Sequence, residues 1–338
     1  MHRRRLAISV ALASASAVAL AGCASAEADA QDDGRIQVVA STDVYAQIAE
    51  EIGGEFIDAT AIVSSSAQDP HSFEPSARDQ LTVQRADLII ENGGGYDAFV
   101  GPLVEASGST APVITAAEFS DAWTGANTED AGAAEDGHTG HTEGESSDPV
   151  EDADGDHSDH GHVEGFNEHV WYDPRTMEHL AAEIAAQLRD LLPAESATFE
   201  ANAGAFAGGI GDLETALSEI DAAHAGEEVF VTEPVPLYLV AAAGLENVTP
   251  DAFSQAVEEG QDVAPATLLE SLKLLRSGDI RAVIANTQTG GAETTEVISE
   301  AEARSIPVVE FSETLPDGQT YLSWMLANID ALAGALDQ

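Results

Sequence analysis

Residues 36–63 read IQVVASTDVYAQIAEEIGGEFIDATAIV, and the reading of this stretch decides the fold. IQVVA (36–40) is a short, continuous apolar run of the kind carried by a strand buried on both faces. VYAQIAEEIGG (44–54) spaces its apolar residues at helical intervals and stops at a glycine pair suited to a helix C-cap. FIDATAIV (56–63) is a second strand. The pattern continues in LTVQRADLIIEN (81–92), a helix end running into a strand before Gly93-Gly94-Gly95, and in APVITA (111–116), another short apolar run. Alternation of β and α with short connections argues for a parallel sheet with helices on both faces.

The second half repeats the first in kind. EEVFVT (227–232), IRAVIAN (280–286) and IPVVEF (306–311) read as strands, LLESLKLLRSG (268–278) and TTEVISEAEARS (294–305) as helices, and YLSWMLANIDALAGAL (321–336) as a closing amphipathic helix. Between the halves, Thr176 to Leu192 reads as a helix stopped by Pro193. Beyond it Phe199, Ala203, Phe206, Ile210, Leu213, Leu217 and Ile220 form one continuous helical stripe, weakened locally by Gly208, Gly209 and Gly211. The fold expected is α/β: two Rossmann-like lobes with mostly parallel sheets, joined by one long bridging helix. The first lobe takes residues 36–193, the bridge 194–223 and the second lobe 224–338.

Charge excludes one class of partner. The 338 residues carry 12 Lys plus Arg against 61 Asp plus Glu, a formal balance of −49. A surface of that sign repels phosphate backbones, so no nucleic-acid binding is expected; it attracts cations. The single cysteine, Cys23, permits neither an intrachain disulfide nor a thiolate cluster for metal. Its setting explains it. HRRR (2–5) precedes an uncharged stretch from Leu6 to Ala26, the form of a secretory signal, and Leu20-Ala21-Gly22-Cys23 resembles a bacterial lipobox. Residues 1–22 are thus expected to be a lipoprotein signal peptide, Cys23 the lipidated mature N-terminus, and 23–35 a polar tether to the outer face of the bacterial cell membrane.

From Thr124 to Gly165 the composition collapses: 13 acidic residues, five histidines, no Lys or Arg, and only Val150 and Val163 as large apolar side chains. Such a segment buries too little to offset its ordering entropy, and is expected to be a disordered insertion in the first lobe. Its histidines fall as His138-x-x-His141 and His157-x-x-His160-x-His162, interleaved with Asp and Glu. Clustered imidazoles of this kind make weak, exchangeable sites that favour zinc over manganese.

Four places put metal-ligating side chains beside strand ends or tight turns. They are Asp69-Pro70-His71, Glu168-His169, Glu233 after the strand VFVT, and Glu313 after the strand VVEF. In open α/β sheets ligands collect at the carboxyl ends of strands. Singly, each has a plainer reading: a loop histidine, or a carboxylate at a helix N-terminus. Asp173 before Pro174 reads as a helix N-cap, and Trp171, Tyr172, Tyr321 and Trp324 as core or lobe-interface aromatics.

VASTDVYAQIAEEIGG, DPHSFEPSARD, ADLIIENGGGYDAF, EHVWYDP and FSETLPDGQTYLSWMLANIDAL together resemble the zinc- and manganese-binding lipoproteins that serve metal ABC importers. The resemblance runs over essentially the whole mature chain from about Ile36. It implies one divalent cation between two α/β lobes, with His71 and His169 as the two imidazole ligands. It puts Glu233 where many zinc-type members have a third His, and Glu313 where the more usual residue is Asp. Carboxylate oxygen suits Mn²⁺ and imidazole suits Zn²⁺, so this set alone leans slightly to manganese; the histidine segment tips the balance to zinc, with His138, His141, His157, His160 and His162 as accessory capture groups. The function implied is an extracytoplasmic, monomeric solute-binding protein that delivers Zn²⁺, alternatively Mn²⁺, to an ABC permease, and not an enzyme. Two other classes are a secreted zinc-dependent hydrolase and a metal-buffering adhesin. The hydrolase needs an open coordination position and a general base, and no HExxH is present.

Overall fold

In the computed structural model the strand β1 (Ile36–Thr42) runs parallel to β2 (Ile57–Val63) on one side and to β3 (Leu88–Glu91) on the other. The structure describes residues 34–65, 68–124, 163 and 165–338. Cys23 and the histidines at 138, 141, 157, 160 and 162 lie outside them.

β4 (Val113–Thr115) completes a parallel sheet in the order β2-β1-β3-β4. Helices α1 (Asp43–Gly53), α2 (Ala77–Val83) and α3 (Val100–Ser107) connect the strands. The two-residue period of the strands sorts their side chains into two cores. Val38, Ala40, Leu88 and Ile90 join the larger one, whereas Val39 and Ile89 pack with Val83, Val100 and Leu103 on the opposite face.

The second lobe repeats this plan. β5 (Glu228–Val231), β6 (Glu246–Asn247), β7 (Ile280–Asn286) and β8 (Val308–Phe311) form a parallel sheet in the order β6-β5-β7-β8. Its helices are α6 (Leu237–Ala242), α7 (Asp251–Glu258), α8 (Pro265–Leu275) and α9 (Ala292–Ala303). Phe230 and Val283 face a core with Phe253, Leu272 and Val297, while Val229, Val231, Ala282 and Ile284 face the larger one.

The chain passes between the lobes through α4 (Pro174–Leu191) and α5 (Ser196–His224), and it closes on α10 (Tyr321–Leu336). Asp173 caps α4 by accepting from the Arg175 backbone N–H, with Pro174 at the first helical position. Pro193 ends that run with a single 3₁₀ turn, so α5 begins at Ser196. At 29 residues α5 is about 44 Å long. Phe199, Phe206, Ile210, Leu213, Leu217 and Ile220 are buried along it, each contributing about 1.5–3 kcal/mol, and they merge both lobes' inner faces into one continuous core. Near one end Asn202 donates to the Ile52 carbonyl of α1 at 2.9 Å. Midway, a Cβ at Gly209 would lie 2.4 Å from the Leu322 side chain, so this glycine permits α10 to pack close.

Hydrogen bonds staple the lobes across the cleft floor. The Leu315 and Tyr321 backbone N–H groups donate to Asp43 at 3.2 Å and to Gln47 at 2.7 Å, both on α1. Tyr172 donates to the Ser312 carbonyl at 2.7 Å, and Tyr321 to the Trp171 carbonyl at 2.8 Å. Tyr172 also stacks on Phe311, with ring centroids 5.9 Å apart. Among the described residues no helix is long and apolar enough to cross a membrane.

Candidate metal centre

Both sheets reverse direction of winding beside their first strand, and at such switch points the carboxyl ends of the strands open a crevice. The candidate side chains all stand on connections that leave those ends. His71 lies in a 3₁₀ turn, Pro70–Ser72, that follows β2. Asp69 holds that turn by accepting from the His71 backbone N–H at 2.9 Å and from the Ser72 hydroxyl at 2.8 Å, while Pro70 presets the backbone. The Asp-Pro pair ahead of the histidine is therefore a positioning device.

After β3 the chain runs through Gly93, Gly94 and Gly95 with φ of 74°, 67° and 103°. Three successive left-handed residues are tolerable only as glycine, and at Gly94 a Cβ would also strike the Phe166 ring at 2.8 Å. This turn delivers Tyr96 to the centre of an aromatic wall. Its ring lies 4.8 Å from His71, 5.7 Å from His169 and 4.5 Å from Trp171, centroid to centroid.

His169 precedes a 3₁₀ turn, Val170–Tyr172, and is buried. Its Nδ1 lies 2.7 Å from Asn167 Oδ1, and the Asn167 amide group donates in turn to the Pro234 carbonyl at 3.0 Å. That contact places a proton on Nδ1 and leaves Nε2 as the nitrogen able to bind a metal.

The second lobe supplies carboxylates. Glu313 follows β8; one oxygen accepts from the Asn286 amide at 2.6 Å and the other from the Tyr96 hydroxyl at 3.2 Å. Gln288 shapes its turn by accepting from the backbone N–H groups of Glu313 at 2.6 Å and Thr314 at 3.0 Å. Glu233 follows β5 and accepts from the same Asn286 amide at 3.1 Å and from the Thr289 hydroxyl.

Three of the four residues singled out from sequence converge. His71, His169 and Glu313 each present one donor atom, all within 4.8 Å of one another. Glu233 is not in that group; its two oxygens are turned to Asn286 and Thr289, and it is linked to Glu313 through their shared amide. Burial pushes Glu313 up to about 7, with the neighbouring Glu233 charge adding to the effect and the Asn286 amide opposing it. Glu233 is raised too, chiefly by burial, against the Thr289 and Asn286 hydrogen bonds. Burial and the Glu313 charge keep the Tyr96 hydroxyl a neutral donor. His71, His169 and Glu313 bring two imidazoles and one carboxylate together, with the Glu233 carboxylate on the far side of the shared Asn286 amide; nitrogen and carboxylate donors in this mixture suit Zn²⁺ or Mn²⁺.

Sequence reasoning missed the residues that hold these groups. Asn286, Gln288 and Thr289 follow one another at the end of β7, where a run of polar side chains after an apolar strand was the available signal. Tyr96 and Asn167 had none of that kind: Tyr96 reaches Glu313 only when the lobes meet, and an asparagine two residues before a histidine does not announce that it will orient the ring.

The family profile for ZnuA, described as zinc-uptake complex component A, periplasmic, matches residues 38–335. The zinc-binding lipoprotein AdcA of Streptococcus pneumoniae is 25% identical over 314 residues, which cover 91% of this chain and 57% of that protein. The chain thus spans little more than half the length of that relative. The manganese-binding lipoprotein MntA of Halalkalibacterium halodurans is 23% identical over 314 residues, covering 91% of each chain. The solved structure of the periplasmic zinc-binding protein TroA from Treponema pallidum has the same fold, with a TM-score of 0.66 at 18% identity over 90% of this chain and 99% of that one. A match along nearly the whole two-lobed body, on a chain whose cleft gathers imidazole and carboxylate donors, means that this protein belongs to the ZnuA family.

Proposed function

We propose that this chain is the extracytoplasmic binding protein of a metal ABC importer, which captures Zn²⁺ between its lobes and delivers it to a permease. His71 and His169 from the first lobe and Glu233 and Glu313 from the second are the ligands; the cation is cargo, and no bond is made or broken. The observation that carries this reading is the convergence of His71, His169 and Glu313 within 4.8 Å at the facing strand ends of two lobes. Glu233 completes the set by turning one oxygen from the Asn286–Thr289 side toward the ion. Cys23 is lipidated and holds a monomeric body at the outer face of the membrane, and the histidines at 138–162 collect zinc ahead of the cleft.

Manganese is the second reading, and the second-lobe carboxylate pair favours it, because harder oxygen donors suit Mn²⁺ better than a third imidazole does. The zinc name of AdcA and the manganese name of MntA support one reading each. The deciding experiment titrates chelator-stripped protein lacking residues 124–165 with Zn²⁺ and Mn²⁺ in competition. Retention of one zinc against excess manganese supports zinc capture by the cleft itself. Release of zinc with retention of manganese transfers the assignment to manganese. Loss of any tight site removes the four-residue assignment.

A further inference from the structure

Beside the cleft donors lies a cavity of about 410 Å³, lined by His71 and by five carboxylates, Asp69, Glu258, Glu259, Asp262 and Glu293. Glu258, the last residue of α7, is the one that reaches inward. Its side chain is 15% exposed, and its Oε1 stands 3.9 Å from His169 Nε2. Glu168 approaches the same spot from the chain segment before His169; it is 4% exposed and His169 only 1%. One donor atom from each of Glu168, His169 and Glu258 lies within 4.8 Å of the others.

The 3.9 Å separation is longer than a hydrogen bond, and close to twice the ~2.0–2.2 Å length of a bond from zinc to nitrogen or oxygen. His169 belongs to this trio and to the group with His71 and Glu313. Its Nδ1 is committed to Asn167, so Nε2 alone is available to both. One nitrogen lone pair serves one ion at a time. The two groups are therefore alternative positions for a single cation.

We propose that Glu168, His169 and Glu258 form a second stopping place for the divalent cation, an alternative to the position at His71, His169 and Glu313. This rests on the binding-protein reading above. The chemistry grades the two positions correctly: one imidazole and two carboxylates make a harder, weaker and faster-exchanging site for zinc than two imidazoles with carboxylates. A divalent cation is the ligand that two carboxylates and an imidazole gathered within 4.8 Å suit. Because His169 is common to both sets, the ion changes partners without ever leaving the imidazole.

Co²⁺, followed by its visible absorption, is the probe, with the full chain and its variants His71→Ala and His71→Ala/Glu258→Gln. Removing His71 dismantles the first position; a weaker cobalt site is expected to remain, and adding Glu258→Gln is expected to weaken that site at least tenfold further. Cobalt bound elsewhere on the chain is common to the two variants, so only their difference is read. Residual binding that is absent, or unchanged by Glu258→Gln, overturns the second position while leaving the one at His71, His169 and Glu313 intact. Failure of the unaltered protein to bind cobalt removes the binding-protein reading itself. Glu258→Gln alone, which keeps the side chain's shape, gives an arm that does not depend on the His71 variant folding. With Zn²⁺ in stopped-flow fluorescence it is expected to slow both capture and release at least fivefold. Unchanged rates, or a loss of affinity at an unchanged capture rate, overturn the proposal.

Discussion

The two lobes share one sheet plan and supply opposite chemistry to the cleft. Each is a four-stranded parallel sheet whose first strand sits between the second and the third. In the first, the side chains that reach the centre are imidazoles, carried on 3₁₀ turns, backed by an aromatic wall and aimed by Asp69 and Asn167. In the second it is the Glu313 carboxylate, just past a strand end, with Glu233 beside it, both held by the amide of Asn286. Rings need a shaped wall to fix their planes, whereas carboxylates need donors to fix their oxygens and limit their repulsion. The scaffold is common, and what differs is the hydrogen-bond partner that each donor type requires.

The sharpest way to break this division is to remove one imidazole. On the ligand assignment proposed above, His169→Ala deletes a nitrogen donor and leaves Asn167 without its ring partner. Zinc affinity is expected to fall on the order of 100-fold or more, about 3 kcal/mol, by calorimetric competition with a chelator. A dissociation constant within threefold of the parent would remove His169 from the site. On the other lobe, Glu313→Gln preserves shape and takes away charge. It is expected to cost roughly tenfold or more in affinity, and to cost manganese more than zinc, since oxygen donors carry a larger share of manganese binding. An equal loss for both metals would mean that the carboxylate lobe does not set selectivity.

A smaller effect reads the carboxylates through pH. Glu313 holds its proton up to about 7 because it is buried, with Glu233 beside it. A bound cation requires the ionised form, so below pH 7 metal and proton compete. Affinity is expected to fall as pH drops from 8 to 6, by up to about tenfold per unit for each proton displaced, with proton release measurable by titration in buffers of different ionisation enthalpy. In Glu313→Gln this part of the slope should vanish, leaving only the imidazole contribution. A pH profile identical in parent and variant would mean that Glu313 meets the metal already ionised.

How much of this was legible in the chain divides along the same line. Apolar periodicity revealed both sheets and the long helix, because burial leaves a repeating mark on sequence. Its limit appears in β6, only two residues long, and in α6 and α7, short helices with no repeat to detect. The metal-type side chains were visible by their chemistry and by standing at strand ends. Their holders were not. Tyr96 and Glu313 are 217 residues apart, and Asn286 reaches Glu233 across 53. An amide or a tyrosine at such a distance carries no sign of what it will grip.

The smallest expected effect compares one position in the two sheets. Glu91 ends β3 and Asn286 ends β7, the corresponding third strands. The amide grips two carboxylates, whereas the acid accepts from the Thr115 hydroxyl at 2.9 Å and is pushed up to about 7, first by burial and then by the Asp97 charge. Below about pH 4.5 Glu91 is protonated in both folded and unfolded chains and costs nothing. Between there and pH 7 the unfolded chain releases a proton that the folded one retains, so stability falls as pH rises, on the order of 1 kcal/mol per unit, and levels off above 7. Glu91→Gln, which gives the first lobe the neutral side chain the second already has, should remove that slope. Urea melts of variant and parent are expected to diverge from near equality at pH 4.5 to a gain for the variant of about 1–3 kcal/mol at pH 8. A constant difference across this range would mean that Glu91 is ionised in the folded chain at neutral pH, balanced by groups the second lobe has no need of.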